Sequence, residues 1–292
     1  MFSNLFIFWF NHRMKDIYNY FLLIRPLNVL ISGLAMIISA AILDSLDQKL
    51  VVILITLVVM VYTAAANSIN DVLDLEVDKV NRPSRPIPSK NLKKNKALIF
   101  SFFLFLTGSV LSLQLPSNAY FISIVVSMPL MVIYSTHLKS KPLIGNITVS
   151  SIIGLSFIFC GTALGNVYPM WTPGLLAFSL TLIREITKDI ADFEGDRIAK
   201  YNTYPIQYGI KGAIKLISFL SCLVCLVALV PYFNNTYNYW YLIILVIGVE
   251  LPLIIVVLLL VKYPLISSAI LSSKILKFST IMGLLAIYAG SL

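Results

Sequence analysis

Charge is scarce in this chain. Asp, Glu, Lys and Arg make up 12% of its 292 residues, against about 25% in a soluble domain. With three cysteines there is no disulfide framework. Cys160, Cys222 and Cys225 lie in apolar runs and read as packing residues. His12 and His137 are too few and too far apart for a haem or zinc site. No polar or low-complexity linker divides the chain, so residues 1–292 read as one domain. What is abundant is apolar: 59% of residues, with a mean hydropathy of +0.89. This composition excludes a soluble enzyme, a disordered chain and a free nucleic-acid-binding module.

Residues 97–138 and 142–183 contain no charged side chain. A bilayer core about 30 Å thick needs roughly 20 apolar residues per helical crossing, so each window holds two crossings. Their turns fall at Pro116-Ser117-Asn118 and between Asn166 and Pro173. Further spans are expected at 26–43, 50–71, 213–232, 239–261 and 276–292. The expected fold is all-α: a polytopic membrane protein of nine transmembrane helices. The N-terminal stretch does not read as a cleavable signal peptide, since Arg13, Lys15 and Arg25 interrupt it. With the N-terminus cytoplasmic, every Lys and Arg except Lys49 falls on the cytoplasmic side. The net charge of +9 is then topological, with some attraction to anionic membrane lipid and no nucleic-acid partner implied. No obligate protein partner is evident.

Nine of the 13 acidic residues fall in two short clusters. Asn67, Asp71, Asp74 and Asp78 follow the second span; Glu185, Asp189, Asp192 and Asp196 follow the sixth. Both sets step by four, three and four, which places side chains on one helix face. The match hints at an internal repeat four spans apart. Six unpaired dry carboxylates at mid-membrane would cost roughly 15–20 kcal/mol. They must line a wet cavity, pair with Lys and Arg, or hold hard cations. Oxygen ligands without His or Cys favour Mg²⁺. Glu76 and Glu194 lie off the stripes and read as solvated. Glu250, alone in a late span, is an intramembrane acid with no assigned role.

Basic residues share that end of the bundle. The run Lys79 to Lys90 holds Arg82, Arg85 and three prolines, and is expected to be an extended loop over the cytoplasmic mouth. Lys139 follows the fourth span and Lys188 the sixth. Carboxylates holding Mg²⁺ beside Arg and Lys suit a pyrophosphate: metal bridges carboxylate to phosphate, and the cations neutralise the remaining charge. The expected cavity therefore opens on the cytoplasmic side.

The run Asn67-Ser-Ile-Asn70-Asp71-Val-Leu-Asp74-Leu-Glu-Val-Asp78, then Asn81-Arg82-Pro83-Ser-Arg85-Pro86, resembles the first aspartate-rich motif of the UbiA family of intramembrane prenyltransferases. Asp189-Ile-Ala-Asp192-Phe-Glu-Gly-Asp196 resembles its second. Arg25-Pro26-Leu-Asn28, and Tyr134 with Lys139, look like further family features. The resemblance implies transfer of an isoprenyl group from its diphosphate, with Asn67, Asp71, Asp74, Asp192 and Asp196 around two Mg²⁺. Asp78 or Asp189 would handle the acceptor proton. Arg25, Asn28, Arg82, Arg85, Tyr134, Lys139 and Lys188 would bind substrate. The stretch from Arg184 to Asp196, running on to Asn202-Thr203-Tyr204-Pro205-Ile206, resembles the ether-lipid branch of the family. That branch adds geranylgeranyl to the hydroxyl of geranylgeranylglyceryl phosphate, so the acceptor partner would be a lipid phosphate. Tyr204 stands where many relatives carry Leu. An aromatic acceptor stays open within the family, and a divalent-cation transporter outside it. The Asp-Gly and Ala-Arg motif of CDP-alcohol phosphotransferases is missing.

Overall fold

The computed structural model describes residues 16–292; His12, Arg13 and Lys15 lie outside the described residues. Helix α1 (Asp16–Leu23) meets α2 (Pro26–Ile42) at a 52° bend. Arg25 supplies the turn, with φ 55 and ψ 72, and Pro26 cannot continue the α1 ladder. Asn67 repairs part of the break: its Nδ2 donates to the Ile24 carbonyl at 2.9 Å. Then follow α3 (Lys49–Leu73) and the short α4 (Leu75–Asn81). The remaining long helices are α5 (Lys94–Ser112), α6 (Ser117–Leu138), α7 (Ile144–Ala163) and α8 (Trp171–Ala191). A short α9 (Phe193–Ile198) precedes α10 (Tyr204–Phe233), α11 (Tyr239–Lys262) and α12 (Ile266–Ser291).

Seven of the described helices are long and apolar enough to cross a membrane, and the bent α1–α2 pair would make an eighth. The expected count of nine also needs α8. That helix has 21 residues but carries Arg184, Glu185 and Lys188 in its final turns. It is nevertheless central, packing on α7, α10 and α12. The other faces of the bundle are greasy. Phe102, Phe103, Phe219, Leu226 and Leu258 are each more than half exposed, a surface suited to lipid and not to water.

Two apolar cores divide the bundle. One joins α2, α3, α5 and α7 around Met36, Ile55 and Cys160. The other joins α8, α10, α11 and α12 around Ile183, Tyr241 and Leu276. The motifs sit at equivalent places in the two halves. The spacing predicts one continuous helix face for each; both helices instead kink at the middle aspartate. Asp74 (φ −83, ψ 10) separates α3 from α4, and Asp192 (φ −95, ψ 5) separates α8 from α9. Hydrogen bonding continues through both kinks, from Asp78 N–H to the Asp74 carbonyl (2.8 Å) and from Asp196 N–H to the Asp192 carbonyl (3.0 Å). The kinks fold α4 and α9 over the mouth, where they pack on each other.

Three expectations need correction. The loop from Arg82 to Lys93 is a compact set of turns, not an extended strap. Ser89 N–H bonds the Arg85 carbonyl and Leu92 N–H the Pro86 carbonyl, while Ile87 and Leu92 are buried beneath. Helices α10 and α12 begin at Tyr204 and Ile266, about ten residues before the apolar runs that were read as spans. Charge marks the edge of a hydrocarbon-suited stretch, not the end of a helix. Lys277, at the expected start of the last span, therefore lies well inside α12. Cys222 is exposed on the outer face and is no core residue.

Candidate active site

A cavity of about 1340 Å³ runs between the two halves. Its inner part is apolar, lined by Ile31, Ile38, Val58, Phe157 and Leu284. At the mouth stand Asp74 from the first kink, and Asp189, Asp192 and Asp196 from the second. Arg25, Asn28, Asn67, Arg82, Arg85, Tyr134, Lys139 and Lys188 line it too. So the residues expected for substrate border one cavity. Asp71 and Asp78 do not reach it; at 2% and 1% exposure they are buried behind arginines.

The basic side chains explain how so many carboxylates tolerate one another. Arg85 bonds Asp78 at 2.5 Å and Asp71 at 3.1 Å. Arg25 also pairs with Asp71, and Lys139 with Asp74. Arg82 reaches both rows: its Nη2 bonds the two Asp192 oxygens at 2.7 and 2.9 Å, and Nη1 approaches Asp78 at 3.4 Å. Burial works against the Arg82 charge, but Asp192 and Asp78 outweigh it and hold its pKa above the ordinary value. Burial, with Arg25 close by, lowers that of Arg85. Lys139 is raised: Asp74 prevails over burial. Asp196 stands apart. Burial, with the Asp192 charge beside it, pushes its carboxyl up to about 7.

Sequence reasoning missed several residues. Asn146 donates to Asp189 at 2.9 Å, and Ser135 donates to Asn70 at 2.7 Å. Asn81 ties the two motifs together by donating to the Asp192 carbonyl at 3.2 Å. Gly195 makes room for it, since a Cβ there would fall 2.3 Å from Asn81 Nδ2. Arg184 and Lys277 also line the cavity. Repetition of polar residues every three or four positions along α12 (Ser273, Lys277, Thr280) was the available signal for the last. Among the described residues, Glu76 and Glu194 pair only with their helix neighbours Lys79 and Arg197, each at 2.7 Å. Glu250 sits away from the mouth with Oε1 buried and unpartnered.

Among the described residues no three acidic, His or Cys side chains stand close enough to hold an ion together. The arginines and Lys139 keep them apart. The donor chemistry nonetheless fits Mg²⁺: the set is all oxygen, and Asp74 Oδ1 is buried with no partner. The Nδ2 of Asn67 is spent on Ile24, leaving its carbonyl oxygen as the free ligand atom.

Two aspartate motifs from repeated kinks meet at the mouth of an apolar cavity. The UbiA prenyltransferase family model matches residues 29–288. The chain belongs to the UbiA prenyltransferase family. It is therefore a membrane prenyltransferase, and the transporter and phosphotransferase readings fall away. Similar UbiA proteins include the digeranylgeranylglyceryl phosphate synthase of Methanosphaera stadtmanae, 36% identical over 78% of this chain and 83% of the relative. That of Methanococcus maripaludis is 34% identical over 95% of this chain and 99% of the relative. A solved structure described as digeranylgeranylglyceryl phosphate synthase in membranes superposes with a TM-score of 0.74 at 33% identity, covering 95% of this chain and 99% of that one. A UbiA homologue from Archaeoglobus fulgidus, solved with DMAPP and Mg²⁺, shares the fold at TM-score 0.62 and 18% identity, over 93% and 97% of the two chains.

Proposed function

We propose that residues 1–292 act as one prenyltransferase domain that transfers geranylgeranyl from its diphosphate to the glycerol hydroxyl of geranylgeranylglyceryl phosphate. The product is digeranylgeranylglyceryl phosphate, an archaeal ether-lipid precursor. The observation that carries this reading is the cavity itself: a charged mouth built from both motifs above an apolar interior of about 1340 Å³. The relatives' names support the acceptor. The distribution of Lys and Arg supports nine crossings, a cell-membrane location, and a cytoplasmic N-terminus and mouth.

Asp74, Asp192 and Asp196, with Asn67, would hold Mg²⁺; Asp71 would join them only where Arg25 and Arg85 swing off its carboxylate. When bound, the metal supplies positive charge against the diphosphate. Arg25, Arg85, Lys139 and Lys188 bind and neutralise the same group. Arg82 gives up its hold on Asp192 to do likewise. Tyr134, buried on a π-helical turn of α6, closes the wall beside them. The bond from the allylic carbon to diphosphate oxygen breaks, and the electron pair leaves with the diphosphate. The apolar interior keeps water from the electron-poor carbon. The acceptor hydroxyl oxygen forms the new bond to that carbon, and its proton passes to Asp189. Asp189 suits this better than Asp78, because it lies on the cavity wall and its hydrogen-bond partner is neutral Asn146.

Purified protein in vesicles, given labelled geranylgeranyl diphosphate with Mg²⁺, tests the reading. Label should enter the glyceryl phosphate lipid and not hydroxybenzoate, and chelation should stop it. Labelling of hydroxybenzoate instead would move the enzyme to the aromatic-acceptor branch.

A further inference from the structure

A second basic cluster lies in the cavity, beside Glu185 at the start of the second acidic row. On α12, Ser273, Lys277 and Thr280 face the cavity. A lysine this far inside a span costs about 2.5–3.5 kcal/mol on insertion scales, and Lys277 has no carboxylate in salt-bridge reach among the described residues. Its Nζ donates to Asn28 Oδ1 at 2.6 Å. Helical side chains lean toward the helix N-terminus, which turns Lys277 toward the end where α2 begins. On the neighbouring α8, Arg184 bonds Glu185 at 3.1 Å, but Lys188 claims the same carboxylate at 2.7 Å. Arg184 Nε is buried without a partner, as is Arg25 Nε. The contrast with the mouth is sharp. There each basic side chain meets at least one carboxylate; here Arg184 and Lys188 share Glu185, and Lys277, among the described residues, meets only the Asn28 amide. Surplus positive charge with idle donors repels a metal ion and suits an anion.

We propose that Lys277, Arg184 and Asn28 form a separate anion subsite that holds the phosphate monoester of the lipid acceptor. This rests on the acceptor reading above and deepens it. A phosphate monoester carries about −1.5 to −2 charge at pH 7 and three strong acceptor oxygens. It takes the idle Arg184 Nε–H and the Lys277 ammonium, while the Thr280 and Ser273 hydroxyls stay on the Leu276 and Ile270 carbonyls of their own helix. Arg25 links the two subsites, with Nη2 on Asp71 and Nε free. The acceptor headgroup is thereby anchored beside the diphosphate without competing for its ligands. The arrangement also selects against acceptors that lack the phosphate.

Binding of geranylgeranylglyceryl phosphate to the full chain in Mg²⁺-free vesicles tests this, alongside binding of geranylgeranyl diphosphate with Mg²⁺. Lys277→Gln and Arg184→Gln each weaken the glyceryl phosphate lipid about 10- to 100-fold, the loss of one charge-assisted contact, and leave the diphosphate affinity unchanged. Lys277→Arg, which keeps the charge, recovers most of the loss. If wild type binds the lipid and both Gln variants bind it equally well, the subsite is overturned while the acceptor reading stands. If the variants lose the diphosphate instead, the cluster belongs to the other substrate and the assignment fails. If wild type itself does not bind the glyceryl phosphate lipid, both readings fall.

Discussion

The two aspartate rows have the same spacing and the same helix kink, yet they live in different electrostatic settings. In the first, Asp71, Asp74 and Asp78 are almost fully buried, and each meets a cation. In the second, Asp189 takes a neutral partner, Asn146, and among its aspartates only Asp192 meets a cation, while Glu185 takes Arg184 and Lys188. That cation is Arg82, lent by the loop behind the first row. No such loop follows the second row; Arg197 turns outward to Glu194. Two copies of one pattern have therefore divided the work. The first half brings carboxylates already neutralised together with the groups that neutralise them. The second half brings carboxylates freer to take a metal or a proton. Asp196, its carboxyl pushed up to about 7 by burial and the Asp192 charge, belongs to that freer set.

Substitutions can break this comparison. Asp192→Ala removes the one carboxylate that the halves share, and turnover should fall on the order of 10³-fold while the protein still inserts and folds. Near-normal turnover in labelled-substrate assays would remove Asp192 from the site. Arg82→Gln unties the rows without removing a carboxylate. Metal-free protein should lose about 1–3 kcal/mol, the worth of hydrogen bonds to charged groups, seen as a lower Tm. Added Mg²⁺ should restore more of that loss than it adds to wild type, since it replaces the missing positive charge. Gly195→Ala pushes Asn81 off the Asp192 carbonyl. It should lower turnover about 10-fold, as for residues that orient metal ligands, with little change in Tm. Glu76→Gln is the control, as an exposed pair with Lys79 contributes at most about 1 kcal/mol. Both turnover and Tm should match wild type.

Much of this was legible in the chain itself. Apolar runs announced the helices because a bilayer demands about 20 such residues in a row. The four-three-four spacing announced the rows because carboxylates so dense require a reason. The kinks at Asp74 and Asp192 were invisible, since hydrogen bonding continues through them and neither residue is Gly or Pro. Hidden too was which arginine meets which aspartate. Arg82 lies four residues from Asp78 but over a hundred from Asp192, and folding alone brings the latter together. Lys277 carried no expected role, because a lysine at the edge of an apolar run looks like a boundary. Only the packing of α12 on α8 and α2 turns it into a cavity residue.

The most direct test is anomalous diffraction from crystals of the protein grown with Mn²⁺ and a non-hydrolysable geranylgeranyl thiodiphosphate. The expected map has metal peaks at the mouth, touching Asp74 on one side and Asp192 or Asp196 on the other, with Arg82 withdrawn from Asp192. Peaks confined to one row, or Arg82 still seated on Asp192 with substrate bound, would contradict the clamp formed by the two halves.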